Sequence, residues 1–236
     1  DTKQYGEGWC WDDKNPVLTP LLFSGKDIFM ARFLDALVAH GIYVDANIDE
    51  KRKPADAFCI VNRFHTIDQI LMRMLKESNN LYAEAMYYQI AASTGNHPAS
   101  ARSARAVERR LVDKIGLDAS RYKFADGSGL SLYNYVSAEL EVKMLRYAYK
   151  NENIRHQLMP ALPIAGVDGT LKKRMKGSFT RENVKAKTGT LTGISSLAGY
   201  CQAANGHTLC FAIINQGVMH GRNGRAFQDR VCTILC

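Results

Sequence analysis

The sequence has no apolar run near the roughly 20 residues that a membrane-spanning helix needs. It has no Cys-x-x-Cys pair and no zinc-ligand spacing. No internal repeat, low-complexity tract or Pro-rich linker is visible, and there are only 6 prolines in 236 residues. Six cysteines are too few for a small disulfide scaffold at this length. The chain begins with Asp1, not Met, and shows no signal peptide, so we expect a processed or truncated product. Acid is in deficit: 23 Asp and Glu stand against 31 Lys and Arg, for a net charge of +8. That balance permits nucleic acid, an anionic cell-wall polymer or an acidic small substrate. The cations are scattered apart from Lys172-Lys173-Arg174-Met175-Lys176, which lacks the interleaved aromatics of a single-strand binder. The expectation is no nucleic-acid partner and a solvated basic surface.

What is present is a globular composition, 46% hydrophobic and 23% charged. From Asp27 to His40, Ile28, Phe29, Phe33, Leu34, Leu37 and Val38 keep helical spacing, and Gly41 follows as a C-cap. Residues 42–58 are polar loop, and Phe58-Cys59-Ile60-Val61 reads as a short strand. Thr66 is placed to cap a helix whose stripe is Ile67, Ile70, Leu71, Met74 and Leu75. Ser78-Asn79-Asn80 interrupts it before a second helix from about Leu81. A Ser-x-Asn triplet at a helix junction is either a site or a plain N-cap. Ala99 to Ile115 is a further helix ended by Gly116, Asp126-Gly127-Ser128-Gly129 is a tight turn, and Ser137 caps the next helix. Pro160, Pro163, Gly166 and Gly169 mark a long loop. Strands follow at about 183–190, 194–203 and 208–216, then a helix carrying Phe227, Val231, Ile234 and Leu235. The order is a helical body, an antiparallel meander and a closing helix, an α+β organisation. We read 1–236 as a single partial domain: an irregular segment 1–27, a mostly helical part 28–180, and strands with a terminal helix over 181–236.

Asn205-Gly206 predicts a two-residue type I′ hairpin. Counting outward pairs Cys201 with Cys210 at a non-hydrogen-bonded position, where side chains approach closest. A disulfide there fits the geometry and would indicate an oxidising, extracytoplasmic compartment; two buried thiols are the alternative.

Val184-Lys185-Ala186-Lys187-Thr188-Gly189-Thr190 ends a strand on a Lys-Thr-Gly triplet. Lys187 offers an ammonium, Thr188 a hydroxyl and Gly189 close approach to the backbone, a set that suits a carboxylate. Ser-x-Asn followed by Lys-Thr-Gly, in this order and setting, belongs to the motif set of penicillin-binding proteins and serine β-lactamases. The resemblance extends to Lys76-Glu77-Ser78-Asn79-Asn80-Leu81-Tyr82-Ala83-Glu84, to Asp126-Gly127-Ser128-Gly129-Leu130-Ser131 and to the segment from Leu162 through Leu171. Together these resemble D-alanyl-D-alanine carboxypeptidases/endopeptidases of the penicillin-binding protein 4 type, peptidase family S13. Gly8-Trp9-Cys10-Trp11-Asp12-Asp13 is also similar to a segment of that family; two Trp beside two Asp otherwise read as an anchoring loop or a sugar contact.

The resemblance implies a transpeptidase/β-lactamase-like α+β fold, an antiparallel sheet flanked by helices, with two of five core strands missing at the N-terminus. It implies a serine peptidase that forms an acyl-enzyme with peptidoglycan stem peptides and binds β-lactams, with no cofactor or metal. By this resemblance, Ser78 would relay a proton near the leaving amine, Asn80 would hydrogen-bond a substrate amide, and Lys187 and Thr188 would take the terminal carboxylate. Gly189 and Thr190 complete the substrate edge, the Thr190 N–H as an oxyanion donor. The family's Ser-x-x-Lys nucleophile motif precedes Ser-x-Asn, whereas here Ser120-Arg121-Tyr122-Lys123 is the only such motif and follows it. The N-terminal half of the same protein is therefore the expected source of the nucleophile, in a periplasmic or otherwise extracytoplasmic setting. A non-catalytic peptidoglycan-binding or scaffold protein on this fold is the alternative.

Overall fold

The computed structural model describes residues 9–10, 19–20, 25–45, 49, 51–95 and 99–236. It falls into two units, residues 1–62 and 63–236. Most of the Gly8–Asp13 segment lies outside the described residues.

In the first unit, β1 (Trp9–Cys10) and β2 (Thr19–Pro20) form a two-residue antiparallel ladder. Helix α1 (Gly25–Ala39) follows, with Asp27 in its first turn, where the helix dipole favours negative charge. Gly41, at φ +76°, closes it: Gly41 N–H donates to Val38 O and Ile42 N–H to Leu37 O, each at 2.9 Å. Phe58-Cys59-Ile60-Val61 is not a strand. Among the described residues nothing pairs with it, and Phe58 and Ile60 are exposed. An apolar run without a ladder partner leaves its backbone to water.

The second unit begins with α2 (Ile67–Lys76), closed by a capping box between Thr66 and Gln69. The expected stripe of α2 is only half-buried. Helix α3 (Asn80–Ala92) is capped by Asn79, whose side chain accepts from Tyr82 N–H at 3.2 Å. Helix α4 (Ala101–Lys114) packs on α3 through Tyr87, Ala91 and Ala104. A 3-10 turn (Ala119–Arg121) and α5 (Ala138–Lys150, capped by Ser137) enclose Val112, Tyr122 and Leu140. The Asp126–Gly129 turn is present: the Asp126 carboxylate accepts from the Gly129 and Ser131 N–H groups, both at 2.7 Å. Ser128 N–H donates to Glu84 on α3 at 2.9 Å, which pins the turn to that helix.

Helix α6 (Glu152–Ala161) occupies the start of the segment expected as loop. Asn151 caps it, accepting from Ile154 N–H. Pro160 is tolerated because it stands in the last turn, where the helix is about to stop.

Strands β3 (Lys185–Leu191), β4 (Ile194–Gln202) and β5 (Thr208–Gln216) form an antiparallel meander in the order β3-β4-β5. On one face Ala186, Leu197, Cys201 and Phe211 pack against Cys232 of α7 (Gly221–Leu235). Buried Gln228 of α7 fixes this packing by donating to Ser195 Oγ and Asn215 Oδ1, both at 3.1 Å. On the other face Tyr200 donates to Leu145 O of α5 at 2.8 Å.

The hairpin register differs from expectation by one residue. Gly206 N–H donates to Ala203 O at 2.8 Å, and Ala203 N–H donates to His207 O at 2.9 Å. The loop is therefore the three residues Ala204-Asn205-Gly206, with Gly206 left-handed at φ +83°. Cys201 pairs with Leu209, and Cys210 with Tyr200. A one-residue slip sends a side chain to the opposite face, so Cys201 and Cys210 are free thiols on different faces of the sheet.

Candidate functional site

Alternation along β3 directs Ala186 into the core beneath the sheet and Lys187 to the opposite face. Lys187 Nζ donates to Ser78 Oγ at 2.8 Å and to Thr188 O at 2.7 Å. These two residues stand 109 positions apart in the chain. Thr188 Oγ1 donates to Thr170 Oγ1 at 2.9 Å. The result is a half-buried ammonium bonded to the Ser78 hydroxyl, with a linked pair of hydroxyl groups starting from the next residue of the strand. Among the described residues Lys187 has no carboxylate partner. Burial lowers its pKa from the ordinary lysine value. An ammonium has three protons and Lys187 uses two, so it retains a donor for an incoming anion.

Ser78 reaches this position through an unusual backbone. It joins α2 to α3 at φ 54°, the left-handed region that costs a non-glycine residue energy. Asn79 does the capping, so Ser78 is free to point at Lys187 rather than at a helix end. Asn80 is the first residue of α3 and its side chain is exposed. Among the described residues that side chain makes no hydrogen bond, to Lys187 or to any other group. Gly189 lies opposite Ser196, and a Cβ there would overlap Ser196 Oγ, so the glycine keeps this face of the strand low. Thr190 is exposed near the strand end.

The segment from Leu162 to Leu171 holds the two halves of the site together. Lys76, the last residue of α2, donates to Asp168 Oδ2 at 2.5 Å and to Leu162 O at 3.0 Å. Asp168 Oδ1 accepts from Ile164 N–H at 2.8 Å. Gly169 packs against the backbone of Lys76: a Cβ there would stand 2.8 Å from Lys76 O. Ala186 N–H, on β3, donates to Pro163 O at 3.0 Å. One loop thus fixes the Ser78 junction through Asp168 and Gly169, and β3 through Pro163 and Thr170. The sequence shows the motif segments that carry Lys76, Asp168 and Thr170 but not the roles of these residues, because a contact spanning 92 residues leaves no local spacing to find.

Ser120-Arg121-Tyr122-Lys123 lies elsewhere, on and just after the 3-10 turn that follows α4, with Ser120, Arg121 and Lys123 exposed and Tyr122 buried. Ser120 N–H donates to Asp118, and the Lys123 ammonium sits 5.3 Å from the centre of the Tyr133 ring.

A meander carrying Lys187 opposite a helix junction carrying Ser78 is the architecture of penicillin-binding proteins and serine β-lactamases. The solved structure of penicillin-binding protein 4 (DacB) from Haemophilus influenzae, in complex with a β-lactam, superposes with a TM-score of 0.77 at 26% identity, over 96% of this chain and 58% of that one. The TLA-3 extended-spectrum β-lactamase shares the fold, with a TM-score of 0.54 at 16% identity, covering 85% of this chain and 77% of that one. The sequence model of the D-Ala-D-Ala carboxypeptidase 3 (S13) family matches residues 17–235. The chain belongs to that family. It is 34% identical to the D-alanyl-D-alanine carboxypeptidase DacB of Haemophilus influenzae over 157 residues, 66% of this chain and 33% of the relative. It is 34% identical to the D-alanyl-D-alanine carboxypeptidase of Actinomadura sp. over 212 residues, 86% of this chain and 39% of the relative. The chain thus spans between a third and two fifths of the length of these two relatives, and corresponds to their C-terminal portion.

Proposed function

We propose that this chain is the carboxylate-recognising part of a serine-type D-Ala-D-Ala carboxypeptidase/endopeptidase that acts on peptidoglycan stem peptides and is acylated by β-lactams. The observation that carries this reading is Lys187: half-buried, without a counter-ion among the described residues, and bonded to Ser78 across the site. A buried cation without a partner is costly, and a substrate carboxylate would supply the missing charge.

In this mechanism a serine attacks the D-Ala–D-Ala carbonyl, the terminal D-Ala leaves with a proton, and water then releases the acyl group. Lys187 and the Thr188 hydroxyl hold the terminal carboxylate. Ser78 passes a proton toward the leaving amine, which its bond to Lys187 orients. Asn80, exposed at the start of α3, hydrogen-bonds the substrate amide. The Thr190 N–H serves as an oxyanion donor. The nucleophilic Ser and general-base Lys come from the part of the protein corresponding to the N-terminal half of its relatives. Peptidoglycan as substrate places the protein in an extracytoplasmic compartment.

The test is hydrolysis of a diacyl-D-Ala-D-Ala peptide by the full-length protein and by Lys187→Ala. Turnover that falls in the variant supports the reading. Wild-type turnover in the variant refutes the role of Lys187. No turnover by the wild-type protein, with retention on purified peptidoglycan, would identify a non-catalytic wall-binding protein instead.

A further inference from the structure

A second cleft in residues 63–236 shares no residue with the Ser78–Lys187 site. It is an open groove of about 780 Å³ between α4 and the segment from Ser120 to Tyr135. Arg105 and Arg109 line it from α4, and Arg102 extends the row in an adjoining cavity of about 260 Å³. Positions 102, 105 and 109 share one helical face, and the row is roughly 10 Å long at 1.5 Å rise per residue. Arg121 and Lys123 face them from the other wall. Among the described residues, none of Arg102, Arg109, Arg121 and Lys123 forms an ion pair. Asp118 is held ionised by the Ser120 hydroxyl and N–H and by the nearby charges of Arg121 and Arg109, so it offsets part of their charge, while burial pushes Glu108, beside Arg105, up to about 7.

Arg102, Arg105, Arg109, Arg121 and Lys123 outnumber the acids beside them, so the cleft carries excess positive charge that suits an anion. It also offers ring faces. Tyr133 and Tyr135 line it, are mostly exposed, and stand within 5.3 and 6.0 Å of the Lys123 ammonium. Their bridging backbone contact, Tyr135 N–H to Lys123 O at 2.8 Å, fixes that wall. Guanidinium forks match carboxylates, and tyrosine faces with hydroxyl edges suit sugar rings.

We propose that this cleft is an exosite for the carboxylate-bearing glycan–peptide strand that flanks the peptide being cleaved. The proposal rests on the peptidoglycan reading above and assigns that polymer a second point of contact. A two-point grip raises effective concentration at the catalytic site for a polymer but not for a short peptide.

The experiment uses the full-length protein in two assays: retention on purified peptidoglycan, and hydrolysis of a small diacyl-D-Ala-D-Ala peptide. Arg109→Glu combined with Arg121→Glu should lower retention at least about tenfold at low salt. It should leave small-peptide hydrolysis unchanged. Arg109→Gln with Arg121→Gln, a milder pair on an exposed surface, should fall between. Tyr133→Ala with Tyr135→Ala should also weaken retention. A soluble disaccharide–peptide should compete, whereas a single-stranded oligonucleotide should not. Unchanged retention in both arginine pairs overturns the exosite, as does competition by the oligonucleotide alone. Arginine-dependent retention without small-peptide turnover would sustain the exosite while removing the catalytic reading.

Discussion

Replacing Lys187 with alanine gives the most informative perturbation. A substrate carboxylate about 4 Å from this ammonium gains about 4 kcal/mol at an effective dielectric near 20. Part of that gain replaces hydration, and charge-assisted hydrogen bonds retain about 1.5–3 kcal/mol net. Lys187→Ala should therefore lower kcat/KM by roughly 30- to 150-fold, which corresponds to about 2–3 kcal/mol. The loss should appear with a peptide ending in a free D-Ala carboxylate. It should be several-fold smaller with the same peptide as a C-terminal amide, which offers the ammonium no charge. Thermal stability should not fall, because the variant removes a half-buried cation that has no counter-ion among the described residues. Burial holds the Lys187 pKa below the ordinary value, so affinity for the carboxylate should weaken with rising pH earlier than for a solvated lysine. Steady-state kinetics on the acid and amide substrates is the assay. Equal losses on both would show that Lys187 acts through structure or proton transfer and not by binding the carboxylate.

Asp168→Asn should destabilise the protein by about 2–4 kcal/mol, since it leaves Lys76, 15% exposed, without its counter-ion. Urea titration would show the loss, and activity should fall with it because the same pair positions the Ser78 junction. Glu108→Gln should stabilise the protein by about 1–2 kcal/mol at pH 8 and not at pH 4, the figure being discounted for partial solvation. The folded carboxyl is neutral up to about 7 against an ordinary 4.5, so wild-type stability falls as pH rises through that window, while the variant's should stay flat. Among the cysteines whose side chains are described, thiol labelling should modify exposed Cys59 first. Cys201 and Cys232, pushed up to about 12 by burial, should react only on unfolding.

Much of the architecture is local and was legible in the sequence. The Thr66 and Ser137 caps, the glycine stops at Gly41 and Gly116 and the three strands each depend on a few adjacent residues. The hairpin shows where local reading ends. Asn205-Gly206 marks the turn, but Ala204 joins it in a three-residue loop closed by Ala203 and His207, and that one extra residue puts Cys201 and Cys210 on opposite faces. Helix α6 was hidden because a proline reads as a break, although one in a last turn costs little. Ser-x-Asn reads as either cap or site; Asn79 takes the cap, and Ser78, left out of it, accepts a hydrogen bond from Lys187. The Lys76–Asp168 pair and the Thr170–Thr188 hydroxyl bond join segments that only the folded chain brings together.

The central claim is that Lys187 and Ser78 serve a serine acyl transfer whose nucleophile lies outside residues 1–236. Intact-mass spectrometry of the full-length protein after incubation with a β-lactam, followed by peptide mapping, tests it most directly. The account predicts a single covalent adduct on a serine preceding residue 1, formed at least about tenfold more slowly in Lys187→Ala. An adduct on a serine within residues 1–236, with Ser120 and Ser78 mapped first, would contradict it, as would acylation at the wild-type rate in the variant.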